Sequence, residues 1–214
     1  MIVTKNLQKA FGDHMVLKGI DQHIEKGEKV VVIGPSGSGK STFLRVLSGE
    51  VESTSGSVSI DPKARMSVLK QNQEMYNDYT VMDTVIMGNR RLYEIGKEKD
   101  AIYEKPDFSD EDGIRAAELE EEYAELGGWE AESDASQLLQ GLGISTDLHY
   151  MQMSDMDPRQ KVKVLLAQAL FGNPDVILLD EPTNNLDVNS VIWLEDFLID
   201  YEGTVIVVSH DRYF

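Results

Sequence analysis

The chain has 214 residues, no cysteine, and 38 acidic against 20 basic side chains, a net charge of −18. The cysteine count excludes disulfides, thiolate metal sites and cysteine nucleophiles, and the charge argues against sequence-independent nucleic-acid binding through a broad basic face. Met1 to Asn6 lacks the pattern of a signal peptide, and no apolar run nears the roughly eighteen residues of a membrane span, so the expectation is a soluble cytoplasmic protein.

Val3 to Ile33 reads as strands and turns, with Gly12-Asp13 and Lys26-Gly27-Glu28 as turn signals. Its last run, Lys29-Val30-Val31-Val32-Ile33, has the β-branched composition of a buried strand. Gly34-Pro35-Ser36-Gly37-Ser38-Gly39-Lys40-Ser41-Thr42 follows, spaced as G-x-x-x-x-G-K-[ST], and then Thr42 to Ser48 places Phe43, Leu44 and Leu47 at helical spacing. Strand, glycine loop and helix come in the order a phosphate cradle needs. Glycines let backbone N–H groups approach phosphate closely, and the helix N-terminus adds partial positive charge. On this reading the chain binds a nucleoside triphosphate: Lys40 reaches the β and γ phosphates and the Ser41 hydroxyl ligates Mg²⁺. The plainer alternative is a Gly/Ser-rich turn before a helix, with a solvated lysine.

Ser53 to Ser57 reads as a loop, Val58-Ser59-Ile60 as a short strand, and Met66 to Lys70 as another, ending at Gln71-Asn72-Gln73. From Thr80 to Leu142 the character is helical and charged. Leu92, Ile95 and Ile102 recur on one face; Ala116, Leu119, Tyr123 and Leu126 form a second stripe, read as core between helices. Glu104 to Asp134 holds thirteen acidic and two basic residues, a local charge of −11, which commonly marks a solvated helical surface. Arg159 to Phe171 is a further helix, stopped near Gly172-Asn173-Pro174. Val176-Ile177-Leu178-Leu179 and Val205-Ile206-Val207-Val208 are apolar throughout, as strands covered on both faces must be. Between them, Trp193, Leu194, Phe197 and Leu198 mark an amphipathic helix. Strands alternating with helices around a phosphate loop imply an α/β fold with a largely parallel sheet.

Phosphoryl transfer also needs a metal carboxylate and a group that orients water. Asp180 ends an apolar strand, the Walker B pattern, and can hold Mg²⁺; Glu181, next to it, is the candidate general base. Such an acid pair can instead cap a helix.

Gly34–Thr42, Asp180-Glu181-Pro182-Thr183-Asn184-Asn185-Leu186-Asp187 and Ser209-His210-Asp211-Arg212, in that order, resemble an ATP-binding cassette (ABC) ATPase over nearly the whole chain. The resemblance implies a P-loop NTPase fold of the ABC nucleotide-binding type, with ATP and Mg²⁺ as ligands. It divides the chain into an ATPase core, 1–79 with 157–214, and a helical subdomain, 80–156. It further implies that Phe11 stacks on adenine, Gln71 contacts Mg²⁺ and the attacking water, Asp187 reaches across a dimer interface, and His210 contacts the γ-phosphate. By themselves Phe11 reads as core and His210 as an ordinary strand-end histidine.

The family's signature, usually Leu-Ser-Gly-Gly-Gln, corresponds here to Met156-Asp157-Pro158-Arg159-Gln160. The serine and both glycines are missing. In the family this stretch clamps the γ-phosphate held by a second cassette; Asp157 would set a carboxylate against a polyanion, and Pro158 removes an N–H donor. Gln160 and Asp157 are therefore the candidate interface residues of an altered site.

Up to about Ser57 the wording resembles the ATPase subunit of a polar amino-acid importer. From Val58 onward it resembles the first cassette of a short-arm (YbiT-like) ABC-F protein, on Val81-Met82-Asp83-Thr84-Val85-Ile86-Met87-Gly88, on Leu165 to Phe171, and on the Asn-Asn-Leu-Asp of 184–187. The acidic helices from about Tyr93 to Leu126 occupy the place of that branch's arm, which reaches toward tRNA and the ribosome. The implied partners are a second cassette, in the same full-length chain or as a homodimer, and the ribosome with tRNA. The alternative partner is a transmembrane permease; direct insertion into a membrane is not expected. Hydrolysis of ATP to ADP and phosphate would need the second cassette, and a nucleotide-binding module with little turnover of its own is a further reading.

Overall fold

Seven strands and seven α-helices, besides three short 3₁₀ turns, are formed among residues Met1 to His210, which the computed structural model describes; Asp211 and Arg212 of the last motif lie outside the described residues. In chain order they are β1 (Ile2–Phe11), β2 (His14–Ile24), β3 (Lys29–Val32), α1 (Lys40–Leu47), β4 (Ser55–Ile60), β5 (Met66–Val68), α2 (Val81–Ile86) and α3 (Arg90–Tyr103). α4 (Asp110–Glu125), α5 (Ala131–Gly141), α6 (Pro158–Leu170), β6 (Val176–Asp180), α7 (Val188–Asp200) and β7 (Thr204–Val208) follow. They fall into two compact units. One holds Met1–Leu69 and the chain from Asn173 onward; the other is Lys70–Gly172.

The first unit carries a parallel sheet in the order β3-β7-β6-β5 and an antiparallel sheet in the order β2-β1-β4. β6 and β7 are the two central strands of the parallel sheet and are buried almost throughout, which explains their unbroken apolar runs. α1 presents Phe43, Leu44, Val46 and Leu47 to a core that also takes Ile2, Leu7 and Leu17 from the antiparallel sheet and Leu178, Ile206 and Val208 from the parallel one. Each large aliphatic side chain so buried contributes about 1.5–3 kcal/mol. The phosphate loop is thus anchored at both ends by the same core.

Three local expectations need correction. β3 is an edge strand, paired with β7 alone among the described strands, and its residues alternate exposed and half-buried; Val31 is 43% exposed. Composition gave it the look of a buried strand, but an edge position uncovers half of it. β4 begins at Ser55 rather than Val58, because Ser55 and Ser57 pair with Gln8 and Lys5 of β1. Leu126 is exposed at the cap of α4 and takes no part in the helical core.

The second unit is helical. Thr80 caps α2 by accepting the Asp83 N–H at 3.0 Å, and Ser109 with Asp112 forms a capping box at α4. α3 and α4 run antiparallel around Ile95, Ile102, Ala116 and Leu119, with Tyr123 packed against them. Lys99 is buried there, its ammonium 3.4 Å from Glu120 and over the Tyr123 and Trp129 rings at 4.3 and 4.4 Å. Among the described residues no helix is long and apolar enough to cross a membrane.

Candidate nucleotide site

The loop after β3 turns on Ser38 N–H, which donates to the Pro35 carbonyl at 3.2 Å. Gly39 ends the loop at φ 95°, a left-handed conformation, and a Cβ there would stand 2.8 Å from Val16 Cγ1. Only glycine meets both demands without strain. Gly39 is also the N-cap of α1, so that helix begins with no side-chain cap and no acidic residue in its first turn. Its leading N–H groups and the positive end of its dipole are left for an anion. Lys40 heads the helix, buried, and its ammonium spans the loop by donating to the Gly34 and Pro35 carbonyls at 2.8 and 3.1 Å. Ser36, Gly37, Ser38 and Ser41 are exposed, and Thr42 is half-buried one position into the turn. A cavity of about 640 Å³ touches the loop at Gly34, Pro35, Ser38, Gly39 and Lys40, but most of its wall is apolar and comes from β2 and β3, with Leu17, Ile20, Ile24, Val30 and Val31 among its lining.

In the parallel sheet β6 lies next to β7, and β7 next to β3. The loop and the end of β6 therefore open at the same C-terminal edge of the sheet, where ligands of open α/β sheets bind. Asp180 closes β6, and its Oδ1 is buried with no hydrogen-bond partner. Glu181 follows at φ 49°, left-handed for a residue that has a Cβ, held there by its N–H donating to the Val208 carbonyl at 2.8 Å. Its Oε2 accepts the His210 backbone N–H at 3.1 Å. Its Oε1 is buried without a hydrogen bond, and His210 Nε2 stands 3.2 Å away. Buried carboxylate oxygens without donors are costly unless a cation or a water meets them. The donorless buried oxygen of Asp180 fits a cation such as Mg²⁺.

Comparison with known proteins supplies the family. The family model described as ABC transporter matches residues 17–184, well over half of the chain. This chain belongs to the ABC transporter family. It is 59% identical over 214 residues to an uncharacterized ABC transporter ATP-binding protein, YkpA, of Bacillus subtilis (strain 168), covering 100% of this chain and 40% of that protein. To the probable ATP-binding protein YbiT of Escherichia coli O157:H7 it is 46% identical, with the same coverage. The chain thus spans about two-fifths of the length of these curated relatives. Among solved structures it resembles an ATP-binding cassette in a dimeric post-hydrolysis state bound to ADP and Pi, with TM-score 0.71 and 24% identity, covering 100% of this chain and 89% of that one. At that identity the likeness is one of fold.

The remaining ABC motif positions are less uniform. Phe11, at the end of β1, is half exposed rather than core, with the Lys9 ammonium 5.0 Å from its ring centroid. Sequence reasoning passed over Lys9, although two residues along a strand share a face and could have linked them. Gln71 is exposed in the loop after β5 and belongs to the helical unit. Asp187 caps α7, accepting the Ser190 N–H at 3.0 Å and its hydroxyl at 2.9 Å, so this carboxylate has a structural partner. At the signature position Asp157 caps α6. It accepts the N–H groups of Arg159 and Gln160 at 2.9 and 3.0 Å, while the Gln160 side chain accepts the Asp157 N–H at 3.3 Å. Gln160 is therefore turned inward on its own helix.

Proposed function

We propose that this chain is one cassette of an ABC-F ATPase, which binds MgATP on its own phosphate loop and hydrolyses it at a site completed by a second cassette. We further propose that the whole protein acts on the ribosome in translation. The donorless buried oxygen of Asp180, Oδ1, carries the metal-binding part, and the placing of Glu181 beside His210 supports the hydrolytic part. A merely structural Asp180 would have that oxygen capped or paired. Bound at Asp180 and Ser41, Mg²⁺ would neutralise charge on the β and γ phosphates.

The chain's own groups supply the remainder. Lys40 exchanges its loop carbonyls for phosphate oxygens. Glu181, fixed by its backbone bond to Val208, presents Oε1 to a water in line with the γ-phosphate. His210 holds the other carboxylate oxygen through its N–H and brings its ring to the same place. The stacking of adenine on Phe11 is compatible with the exposure of that ring. Gln71 and Asp187 keep the roles that family resemblance gives them, at the metal and at the cassette interface.

Two observations support the ABC-F reading. The helical insertion lies between β5 and α6, the place of an ABC-F arm, and the relatives' greater length leaves room for a second cassette. Asp157 favours a corollary: a helix terminus that has consumed its own N–H groups offers little to another cassette's γ-phosphate, so the isolated chain turns ATP over slowly. The test uses the two-cassette protein carrying Glu181→Gln. Loaded with ATP, it is expected to co-sediment with ribosomes; ATP binding without co-sedimentation would end the ribosomal part. Stable co-purification with a transmembrane permease would favour an importer subunit instead.

A further inference from the structure

Two half-exposed aromatic rings flank the turn between α3 and α4: Tyr103 ends α3, its hydroxyl donating to Glu120 at 3.4 Å, and Phe108 lies in the turn. Tyr103 and Phe108 stack across it, with ring planes 4° apart and centroids at 6.1 Å. They are 53% and 49% exposed, and Ile114, in the second turn of α4, is 65% exposed. The hairpin's own core, Ile95, Ile102, Ala116 and Leu119, includes none of the three. Stacked rings left in solvent are the raw material of a docking surface.

Charge decides what can dock there. All six lysines and arginines between Arg90 and Glu125 are committed to carboxylates. Arg90 pairs with Glu94, Arg91 with Glu122, Lys97 with Asp83, Lys99 with Glu120, Lys105 with Asp112, and Arg115 with Glu98 and Glu118. In contrast the side chains of Glu104, Asp107, Asp110, Glu111, Glu121 and Glu125 are exposed and make no hydrogen bond or ion pair among the described residues. Glu121 and Glu125 also sit toward the C-terminal end of α4, where the helix dipole disfavours negative charge. Helix stability therefore does not explain these two, whereas Asp110 and Glu111 lie in the first turn of α4, where the dipole favours them.

A nucleic-acid backbone would meet like charge here, with no uncommitted cation to exchange for its counterions. A lysine or arginine side chain suits both features, its apolar stem and cation lying over a ring face while the charge meets a carboxylate. We propose that the α3–α4 tip docks a lysine- or arginine-rich polypeptide segment, with Tyr103 and Phe108 as its platform, and does not read nucleic acid. This inference does not depend on the ribosomal reading of the nucleotide site.

Fluorescence anisotropy with a short labelled arginine-rich peptide, and separately with labelled bulk tRNA, tests it on the full chain. The peptide is expected to bind, and Tyr103→Ala with Phe108→Ala to weaken it about tenfold. Glu104→Gln with Asp107→Asn, at side chains without partners in the fold, should weaken it about threefold and flatten its salt dependence. Asp196→Asn with Asp200→Asn, which removes the same charge from α7, should leave it unchanged. Equal losses from the two charge pairs would mean attraction by net charge alone and would overturn the proposal. Binding of tRNA that the ring variant abolishes would also overturn it. Should the ring variant lose its helical circular dichroism, the two charge pairs still decide the matter.

Discussion

α1 and α6 both begin where phosphate chemistry is expected, and they begin in opposite ways. α1 starts from Gly39 with no side chain on its leading N–H groups. α6 starts from Asp157, whose carboxylate accepts two of those N–H groups while Gln160 returns a bond to the cap. A cap of this kind is worth about 1 kcal/mol, and a fold forgoes it most readily where a ligand is to supply the acceptor. The family motif alone would treat both termini as parts of ATP sites. Their capping separates them, one left open to an anion and the other self-satisfied.

That contrast can be broken in several ways, the largest concerning chemistry. Glu181→Gln in the two-cassette protein should slow phosphate release by at least about 100-fold and leave ATP affinity within about twofold. An equal loss of affinity would make Glu181 a structural residue. Next, Lys40→Ala should weaken ATP binding about 100-fold by calorimetry, since charge-assisted bonds to two phosphates are lost. Asp157→Ala should leave that affinity unaltered. If both substitutions weakened binding alike, the distinction between the termini would fail.

Stability supplies a smaller effect of opposite sense. Asp157→Ala should lower Tm by roughly 2–4 °C, as expected for about 1 kcal/mol in a chain of this size, with Asp157→Ser restoring most of it. The smallest effect is the acid response of the α4 cap. Lys105 and then the Ser109 backbone and hydroxyl bring the Asp112 carboxyl from 3.8 down to about 2. A carboxyl lowered in the folded state adds stability that is complete above pH 4 and is lost as pH falls toward 2. Asp112→Asn should remove that part of the acid-induced loss of helical circular dichroism.

β6, β7 and the phosphate loop were legible because their residues answer to local rules: unbroken apolar runs, and glycines at fixed spacing. Other features depended on what lies beside an element. β3 is three valines after a lysine and β7 is β-branched throughout, yet one is an edge and the other central, and sheet order is what separates Val31 from Val207. Asp157 was legible as a charge out of place; its service to Arg159 and Gln160 required knowing where α6 begins. Lys99 gave no hint of burial, since the rings of Tyr123 and Trp129 that cover it come from beyond its own helix. The fixed contact of Glu181 with His210 likewise needed the ends of β6 and β7 to be brought together.

The junction at Gly88 has a mechanical consequence. A Cβ there would stand 2.1 Å from the Gln168 carbonyl oxygen, so the chain leaving α2 touches the backbone of α6 directly. The buried Gln168 amide also donates to the Thr84 carbonyl at 2.7 Å, and Asn89 starts α3 at once by accepting the Leu92 N–H at 3.3 Å. Little slack remains between α6 and the root of α3. α3 is then a stiff rod of about 20 Å, at 1.5 Å per residue, with α6 gripping one end. A tilt imposed on α6 would be carried along that rod as leverage, and the far end would sweep through the larger arc.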